Sequence, residues 1–500
     1  MTTTPDAAAE RRLHPLSWLF VLLAQLRQFI LPLAALLFFG QRDDQALWPL
    51  AGVAVLALVS VWQYFTYRYR IDGDSLVVRS GLLHRQLRQV PFARIHNVAL
   101  HQTLLHRLFG VAEVRLESAG GDKPEAQMRV LRMSDALALE QLVRRRSGAA
   151  TGEGMAASAT APAAEAPAHT LLQLPPMEVL RLGLVSNRGL LVLGGGAAAL
   201  SQVSPRMFSG LFEHWGQELF GWADAHHFGA QEYLAVGASL VLAFVLLLRA
   251  FSMLLALLQY FGFRLDQQGR RLTVERGLLT RLRTSAPRRR IQAWTLHEGL
   301  MHRLLRRRSL DVDTAAGGES GKQRSLRELA PIATADACDA LVRHLLPGAQ
   351  WPPAQWQPLH RLAWLRLAWP GALIALLVCA AACWRFGALG LLALAWLPWS
   401  AFVAHRHARH AGYACDERLV AVHGGWWSRY WRFAEVDKLQ ALQLARSPLD
   451  RCCGMATLML DTAGANGLVP PLRLHYLPEP EARRLFLQLG EAVAARKLRW

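Results

Sequence analysis

The feature that most constrains this chain is a stretch of sequence that occurs three times. Aligning Gly81, Gly277 and Gly425 brings the three copies into register without a gap. Basic and apolar positions then coincide: Arg85, Arg281 and Arg429; Arg94, Arg290 and Lys438; Arg107, Arg303 and Arg451; Ile95, Ile291 and Leu439. Self-similarity of this kind fixes an architecture before any motif is considered. We therefore expect three similar folded units, called modules one, two and three below.

Two apolar segments precede each module. A helix needs about 20 apolar residues to cross the hydrocarbon core of a bilayer. The sequence predicts three pairs of such helices, at 17–65, 184–261 and 367–403, with an outside loop at about 206–232. The first segment of the second pair is the weakest, because it is Gly-rich at 194–196, and only the threefold pattern makes it a span. The prediction is six transmembrane helices in three pairs.

The composition predicts a membrane protein with its basic residues on one side. The chain has 500 residues, is 52% hydrophobic and carries a formal net charge of +19. With a cytoplasmic N-terminus (1–16), the outside loops carry only Arg42, Arg206 and Arg385 of the 56 Lys plus Arg. Basic residues favour the cytoplasmic side. We expect a multi-pass protein of the inner (plasma) membrane with all modules cytoplasmic. Because Trp and Phe lie mostly in the apolar segments, we expect no nucleic-acid partner.

Each module has the pattern of a small curved sheet or β-barrel closed by one helix, so the predicted fold class is an α+β membrane protein. In module one, Val111–Glu117 alternates apolar and polar residues, which is typical of a half-buried strand. Amphipathic segments close the modules after Ser134, at Thr334–Leu346 and at Pro480–Arg496. The predicted boundaries are 66–146, 262–346 and 407–496 for the modules, with a flexible linker at 147–170 and a Pro-rich linker at 351–358.

The repeated residues resemble one known family. Module one reads Arg-Ser-Gly-Leu-Leu-His-Arg over 79–85, followed by Arg-Ile at 94–95 and a small-residue turn at 118–120. Module two repeats the first motif at 275–281, whereas module three replaces the Leu pair by Trp426 and Trp427. This pattern resembles the bacterial PH-domain family of YdbS/YdbT-like membrane proteins. The resemblance implies a PH-like barrel, a membrane location and a non-enzymatic scaffold, with envelope stress or antimicrobial tolerance as the physiological setting.

The recurring basic residues are the candidates for contact with anionic lipid headgroups of the bilayer or with a protein partner. They are Arg85, Arg94, Arg281, Arg288, Arg289, Arg290, Arg429 and Lys438. Each basic residue near the membrane surface contributes about 1 kcal/mol of attraction to anionic lipid. The alternative is that these residues serve the fold, with their stems covering apolar surface. A homo-oligomer is a further alternative, as is packing of the three modules as a pseudo-trimer.

The sequence offers little other chemistry. It contains no Walker loop, no GxSxG, no HExxH and no dinucleotide fingerprint. The histidines at 405, 407 and 410 lie among arginines where a span ends, so interfacial charge explains them better than a metal. We expect no enzyme activity, no cofactor and no metal. Arg27 lies inside a predicted span, and intramembrane charge indicates function by default. A transporter or membrane enzyme with a site near Arg27 is therefore the competing function.

Overall fold

The structure is a computed structural model, and it describes residues 11–23, 55, 58–59, 61–62, 65–81, 85–118, 126–149, 169–203, 210, 213–214, 216–218, 221, 229–314, 327–462 and 472–495. Arg27 and nearly all of the first predicted helix pair lie outside these residues. The described chain is mixed α and β, and its strands and helices follow the threefold repeat.

Module one consists of two groups of strands and a closing helix. Its elements are β1 (Arg11–Arg12), β2 (Arg68–Asp72), β3 (Ser75–Ser80), β4 (Gln86–Pro91), β5 (Ile95–Gln102), α1 (Leu104–Leu108), β6 (Val111–Ser118), β7 (Ala126–Arg132) and α2 (Met133–Ala149). An acidic turn joins β2 to β3, with Gly73 at a φ of 52° and Asp72 paired with Ser75.

Module two has the same order of strands, and its apolar helices follow the first strand. Its elements are β8 (His169–Gln173), α3 (Pro176–Val185), α4 (Arg188–Val203), α5 (Ala230–Tyr260), β9 (Arg264–Gln268), β10 (Arg271–Arg276), β11 (Arg281–Pro287), β12 (Ile291–Glu298), α6 (Leu300–Leu304), β13 (Arg307–Thr314), β14 (Glu328–Thr334) and α7 (Ala335–Leu345). The Thr334 hydroxyl caps α7 by accepting from the Ala337 amide, which satisfies one of the free N–H groups of the first turn.

Module three repeats this plan. Its elements are β15 (Gln357–Pro358), α8 (Ala363–Phe386), α9 (Trp396–Arg409), β16 (Gly412–Cys415), β17 (Leu419–Gly424), β18 (Arg429–Glu435), β19 (Leu439–Ala445), α10 (Pro448–Cys452), β20 (Met455–Thr462), β21 (Leu472–Pro478) and α11 (Glu479–Ala494). A short 3-10 segment joins α8 to α9, and another follows the β4, β11 or β18 strand in each module.

The sheets run across the module boundaries. One seven-stranded sheet has the order β7-β6-β5-β11-β10-β9-β8, and a second has the order β14-β13-β12-β18-β17-β16-β15. Each therefore joins the second half of one module to the first half of the next. The strands β1 to β4 and β19 to β21 remain as separate sheets of four and three strands at the two ends of the chain. The modules form a continuous head-to-tail row.

The hydrophobic cores, like the sheets, are shared between neighbouring modules. The core of module two includes Phe433 and Ala421 of module three. Phe433 lies with its ring 4.0 Å from Trp351, which follows the closing helix of module two. Fully burying one such aromatic or aliphatic side chain contributes about 1.5–3 kcal/mol. Apolar packing as well as strand pairing therefore fixes module three against module two.

The described residues contain two helical segments long and apolar enough to cross a membrane, Gln231–Tyr260 and Ala363–Arg409. The helices Pro176–Val185 and Arg188–Ala199 pass the same test only together, as a pair bent by 54°. The prediction of six transmembrane helices is thus not supported, whereas the PH-like repeats are. One physical reason is that the bend at Ser186 and Asn187 leaves α4 with 16 residues, fewer than the about 20 that a span needs.

The third apolar segment folds back on itself as a hairpin. A Cβ on Gly371 of α8 would collide with the Ser400 hydroxyl of α9, so the two helices are in close contact. At the base of the hairpin, the rings of Trp364 and His405 are 6.1 Å apart. The segment therefore begins and ends on the same side, which places the strands that follow it beside the end from which it started.

The bend between α3 and α4 is stabilised by a charged side chain from α5. Arg249 donates to the carbonyl oxygens of Leu184 at 3.1 Å and Ser186 at 3.4 Å, and to the side chain of Asn187 at 3.1 Å. Ser252 donates to the Ser186 carbonyl at 2.8 Å. These carbonyls would otherwise lack partners where the helix breaks. Arg249 is thus a structural residue at the boundary of the apolar part of α5.

Candidate membrane-proximal face

The repeated glycine forms a tight turn against the end of the preceding apolar helix. In module two, the Gly277 amide donates to the Phe261 carbonyl at 2.9 Å and the Leu278 amide donates to the Leu258 carbonyl at 3.0 Å. Gly277 has a φ of 110°, and a Cβ there would collide with the carbonyl oxygen of Thr280. Only glycine adopts this conformation at little cost. The repeated glycine therefore marks the point where the sheet of module two meets α5, and in module three the neighbouring Trp426 likewise contacts Phe402 of α9.

This contact gives module two a membrane-proximal and a membrane-distal end, and the shared order of strands extends the same two ends to the other modules. The strand β11 begins beside the glycine turn and runs away from it for seven residues, Arg281–Pro287. At about 3.3 Å per residue, its far end lies on the order of 20 Å from the turn. The strand β12 returns, so α6 lies at the proximal end again. The same order places α1 and α10 at the proximal ends of their modules.

The proximal ends carry large exposed apolar side chains, which we call the membrane-proximal face. Leu108 of α1 and Leu304 of α6 are each 76% exposed. The other members are Leu104, Leu105, Phe109, Leu278, Leu279, Leu300, Met301 and Trp427. Scattered exposed leucines are ordinary, but a contiguous apolar patch indicates an interaction site. Apolar side chains beside the ends of membrane-length helices favour insertion at the bilayer interface.

Two repeated arginines connect neighbouring modules across this face. Arg107 of module one donates to the Leu278 carbonyl of module two at 3.2 Å. Its equivalent Arg303 donates to the Trp426 carbonyl of module three at 3.4 Å. Leu278 and Trp426 both follow the repeated glycine, so the two junctions are built alike. The third equivalent, Arg451, is exposed and has no side-chain partner among the residues that the structure describes.

Of the predicted basic residues, three lie at the proximal end. Arg85, Arg281 and Arg429 stand at the start of β4, β11 and β18, next to the glycine turn. Arg281 forms an ion pair with Glu275 at 2.8 Å, and Arg429 is the strand partner of Glu298 in module two. Their contact with lipid headgroups stays a prediction, but their position allows it.

The other five predicted residues lie at the distal end. Arg94, Arg288–Arg290 and Lys438 belong to the 3-10 segments that follow β4, β11 and β18. Lys438 donates to the Arg289 carbonyl at 3.0 Å and so connects modules two and three. Burial lowers the pKa of Arg290 to about 10, and the neighbouring Arg289 and Arg271 act in the same direction. This position favours a role between modules for these residues.

A basic cleft opens at the proximal end of module one. Its volume is about 410 Å³. It is lined by Arg68, Tyr69, Arg70, Val77, Arg79, Arg85, Gln86 and Leu87. Strand pairing of Arg68 with Arg79, and of Arg79 with Leu87, brings these side chains to one face of the sheet. Arg70 forms an exposed ion pair with Asp72 at 3.2 Å, and among the described residues no carboxylate contacts Arg79 or Arg85.

The equivalent positions in the other modules do not carry four arginines. Where module one has Arg68, Arg70, Arg79 and Arg85, module two has Arg264, Asp266, Glu275 and Arg281, and module three has Gly412, Ala414, His423 and Arg429. The module two residues neutralise one another: Arg264 contacts Asp266 at 2.7 Å and Arg281 contacts Glu275 at 2.8 Å. Sequence reasoning named only Arg85 of the four arginines as a contact residue, because the other three are not basic in all three modules. The sequence signal for these arginines is that module one differs at these positions from the other two modules.

A buried ionic network joins the apolar helices of module two to its sheets. The Glu328 carboxylate of β14 contacts Arg276 of β10 at 2.7 Å and Arg188 of α4 at 2.9 Å. It also accepts from the Tyr260 hydroxyl of α5, over whose ring both guanidinium groups lie. Burial alone would raise the pKa of Glu328, but the charges of Arg276 and Arg188 outweigh it and lower the pKa. The ionised carboxylate therefore fixes the orientation of this module relative to its helices.

A second ion pair has the same role. Arg307 of β13 contacts the Glu178 carboxylate of α3 through two nitrogens, at 2.7 and 2.9 Å. The hydrogen bonds from Arg307 lower the pKa of Glu178 against the opposing effect of burial. Two-point contacts of this kind fix angle as well as distance. Within the described residues, no group of three or more His, Cys, Asp or Glu could hold a metal ion.

The comparison with known proteins agrees with the threefold repeat. The sequence profile described as "Bacterial PH domain" matches residues 19–147, 223–346 and 362–493. The chain is also 22% identical over 333 residues to "UPF0699 transmembrane protein YdbT" of Bacillus subtilis (strain 168), covering 63% of this chain and 64% of that protein. The chain thus spans just under two thirds of the relative's length. No solved structure matches. The resemblance predicted from the repeat is confirmed, and this chain belongs to the bacterial PH-domain family.

Proposed function

We propose that this protein is a non-enzymatic membrane scaffold whose modules lie at the cytoplasmic face of the inner membrane, where the cleft of module one binds anionic lipid headgroups. The apolar helices, including both legs of the α8–α9 hairpin, would cross the bilayer and deliver each glycine turn to its surface. An envelope-stress or antimicrobial-tolerance role remains a prediction from the family resemblance.

One observation carries this proposal: the cleft places four arginines next to the membrane-proximal face, and only in module one. Arginine is suited to phosphate because its planar fork donates two parallel hydrogen bonds. The cleft shares its end of the module with exposed leucines such as Leu105 and Leu108. A headgroup phosphate at the bilayer surface would therefore meet the arginines while these side chains enter the apolar layer.

Lipid binding is tested on the full-length protein after delipidation in mild detergent. Phosphatidylglycerol and phosphatidylcholine are titrated separately, and bound lipids are counted by native mass spectrometry. We expect one anionic lipid to bind more tightly than the rest. Each juxtamembrane basic residue is worth about 1 kcal/mol, so Arg79→Gln with Arg85→Gln should weaken this lipid roughly 30-fold.

The matched control is Arg264→Gln with Arg281→Gln in module two, where Asp266 and Glu275 already neutralise the two charges. This control should leave the tight lipid in place. Equal lipid occupancy in the wild-type protein and the module one variant would refute headgroup binding in the cleft.

Orientation is tested separately by thiol labelling from each side of the membrane. The exposed native Cys452 lies on α10 at the proximal end of module three. Ala388→Cys places a thiol at the tip of the α8–α9 hairpin, where the native side chain is exposed. An impermeant maleimide added outside spheroplasts should label the Ala388→Cys thiol and should leave Cys452 unlabelled until the membrane is opened. The reverse pattern would refute a cytoplasmic location of the modules.

A further inference from the structure

The two ends of the module row are open strand edges with the shape of an internal junction. The strand β4 ends one separate sheet, and β19 ends the other. Their equivalents elsewhere in the chain are paired with each other: β5 pairs with β11, and β12 pairs with β18. Within the part of the chain that the structure describes, the first module therefore has the receiving edge of a junction without a donor. The last module likewise has the donor edge without a receiver.

The two internal junctions have the same register. Arg281 pairs with Gln102 at the first junction, and the equivalent residues Arg429 and Glu298 pair at the second. The strands also share a β-bulge near the start of β5, β12 and β19. The same geometric step thus leads from module one to module two and from module two to module three. Strand β19 has the same bulge as β5 and β12, and therefore the geometry needed for a third junction.

Burial confirms that the terminal edges are uncovered. The first six residues of β12, Ile291 to Leu296, are all buried, whereas in β19 only Leu439 is buried. On the receiving side, Thr284 and Ser285 of β11 are buried, and their equivalents Arg88 and Gln89 of β4 are exposed. The difference lies in the missing neighbour, because the positions are otherwise equivalent.

The exposed edge of β19 lacks the usual protection. Natural edge strands carry lysine, proline or inward-pointing charge that prevents pairing with other chains. The sequence of β19, Leu-Gln-Ala-Leu-Gln-Leu-Ala, has no charged residue and no proline. Arg451 beside it also lacks the partner that Arg107 and Arg303 have in the next module. Strand and arginine together form one unused junction surface.

We propose that this surface binds a second copy of the chain, with β19 of one copy adding antiparallel to β4 of the next. The internal register then pairs Leu444 with Leu87, Gln443 with Arg88 and Leu442 with Gln89. It also sets Arg446 opposite Arg85, where the charge of Arg446 is already compensated by Glu479 at 2.6 Å. Arg451 would donate to the carbonyl that follows Gly81 in the next copy.

The geometry favours a second copy over closure within one chain. The strands β4 and β19 are in separate sheets, so three modules do not form the closed pseudo-trimer that the sequence left open. An unclosed head-to-tail interface generates either a ring of several chains or an open row. Both internal junctions keep the membrane-proximal ends side by side. Repeating the step therefore keeps the spans of successive copies in one bilayer.

The first experiment measures the mass of the full-length protein in lipid nanodiscs and mild detergent. We expect dimers or larger assemblies. Gln443→Lys sets a lysine opposite Arg88, and like charges at directly opposed strand positions disfavour pairing by up to about 1 kcal/mol, so we expect up to about fivefold weaker association. Gln443 is exposed, which protects the fold of the monomer. Adding Arg88→Glu to this variant should restore association.

The matched control is Gln440→Lys, which adds the same charge to the same strand. Its equivalent Gln292 lies before the residues of β12 that pair with β18, so this position is outside the proposed contact. Association should be unchanged in this control. A wild-type protein that stays monomeric at all concentrations, or equal loss in both lysine variants, would overturn the proposal.

Cross-linking tests the register directly. Chains carrying Leu87→Cys and chains carrying Leu444→Cys, both with Cys452→Ser and Cys453→Ser, are oxidised separately and after mixing. Only the mixture should give a disulfide-linked dimer, since opposed strand positions have Cβ atoms within about 5 Å. Arg281→Cys with Gln102→Cys in one chain is the positive control, because those residues are strand partners.

Three results of the cross-linking would overturn the proposal. The first is a working internal control with no dimer in the mixture. The second is an efficient intramolecular disulfide when both cysteines are in one chain, because that would mean closure within the chain. The third is capture of a different membrane protein by the Leu444→Cys chain in its native membrane with no self-capture.

Discussion

Module two holds its helices by buried charge, whereas modules one and three lack the Glu328–Arg276 pair at the equivalent places. Glu328 begins strand β14, and the equivalent strands β7 and β21 begin with the buried residues Ala126 and Leu472. Its partner Arg276 is replaced by Gly424 in module three. The same fold thus forms with and without this buried charge. The ionic network is therefore not required to form a PH-like module.

The comparison indicates what the network is for. A buried ion pair is often no more stabilising than an apolar pair of the same size, because both charges lose their hydration. It does impose a direction, since each hydrogen bond needs a defined angle. Module two lies in the middle of the row and is paired on both sides. We infer that its network sets the angle between the helices and the row, and the following predictions test this difference between modules.

The largest effect is expected from removing one partner of the network. Glu328→Ala leaves Arg276, whose side chain is 4% exposed, as a buried charge without its carboxylate. Breaking a buried pair in this way costs about 3–5 kcal/mol of the free energy of unfolding. Denaturant unfolding in detergent, followed by tryptophan fluorescence, should measure that loss.

The control for this prediction copies module three. Glu328→Leu with Arg276→Gly introduces the residues found at Leu472 and Gly424, so that no buried charge is left unpaired in the sheets. The double variant should recover most of the lost stability. A double variant as unstable as Glu328→Ala would mean that the network is essential to the fold of module two and not only to its orientation.

A smaller effect concerns the pH dependence of module two. Asp311 is the strand partner of Glu328, and burial together with this neighbouring carboxylate raises the pKa of Asp311 to about 7. Between its ordinary pKa of 3.8 and about 7, the folded protein keeps a proton that the unfolded chain has lost. Stability should therefore fall as pH rises through this range. The equivalent position in module one is Arg115.

Asp311→Asn should flatten the fall in stability between about pH 4 and pH 7, because the amide does not titrate. Thermal unfolding of the full-length protein at several pH values measures the slope. Asp336→Asn on α7, an exposed carboxylate, is the control and should leave the slope unchanged. An unaltered slope in Asp311→Asn would place the titrating group elsewhere.

The sequence predicted the modules well because their features are local. The repeated glycine is needed for one backbone conformation, and the alternation along 111–117 indicates a strand whatever it pairs with. The sharing of sheets between modules could not be predicted in this way. Strands β12 and β19 have similar apolar patterns, yet one is covered and the other is not. Which strand covers an edge depends on residues far away in sequence, so periodicity does not identify it.

The candidate site was predicted only in part for a related reason. Repetition selected Arg94 and Lys438, which lie at the distal end, together with Arg85 at the proximal end. Residues that recur in every module reflect what all modules share, including their junctions. The cleft depends on Arg70 and Arg79, whose equivalents in module two are the acidic residues Asp266 and Glu275. Repetition therefore identifies contacts within the row better than it identifies a ligand site.

The smallest expected effect tests the repeated arginine of the junctions. Arg107→Ala and Arg303→Ala each remove one hydrogen bond to a carbonyl of the next module, and a typical bond of this kind contributes about 0.5–1.5 kcal/mol. Hydrogen exchange should become faster in the glycine turn of the following module, at residues 277–280 or 425–428. Arg451 has no next module within its own chain. Arg451→Ala should therefore change neither stability nor exchange in Gln443→Lys protein that is diluted until it is monomeric. If all three substitutions had equal effects in that monomer, the arginine would be repeated for the sake of each module's own fold. If only Arg107→Ala and Arg303→Ala had effects, the arginine would serve the junctions between modules. Arg451 would then belong to a junction that a single chain does not form.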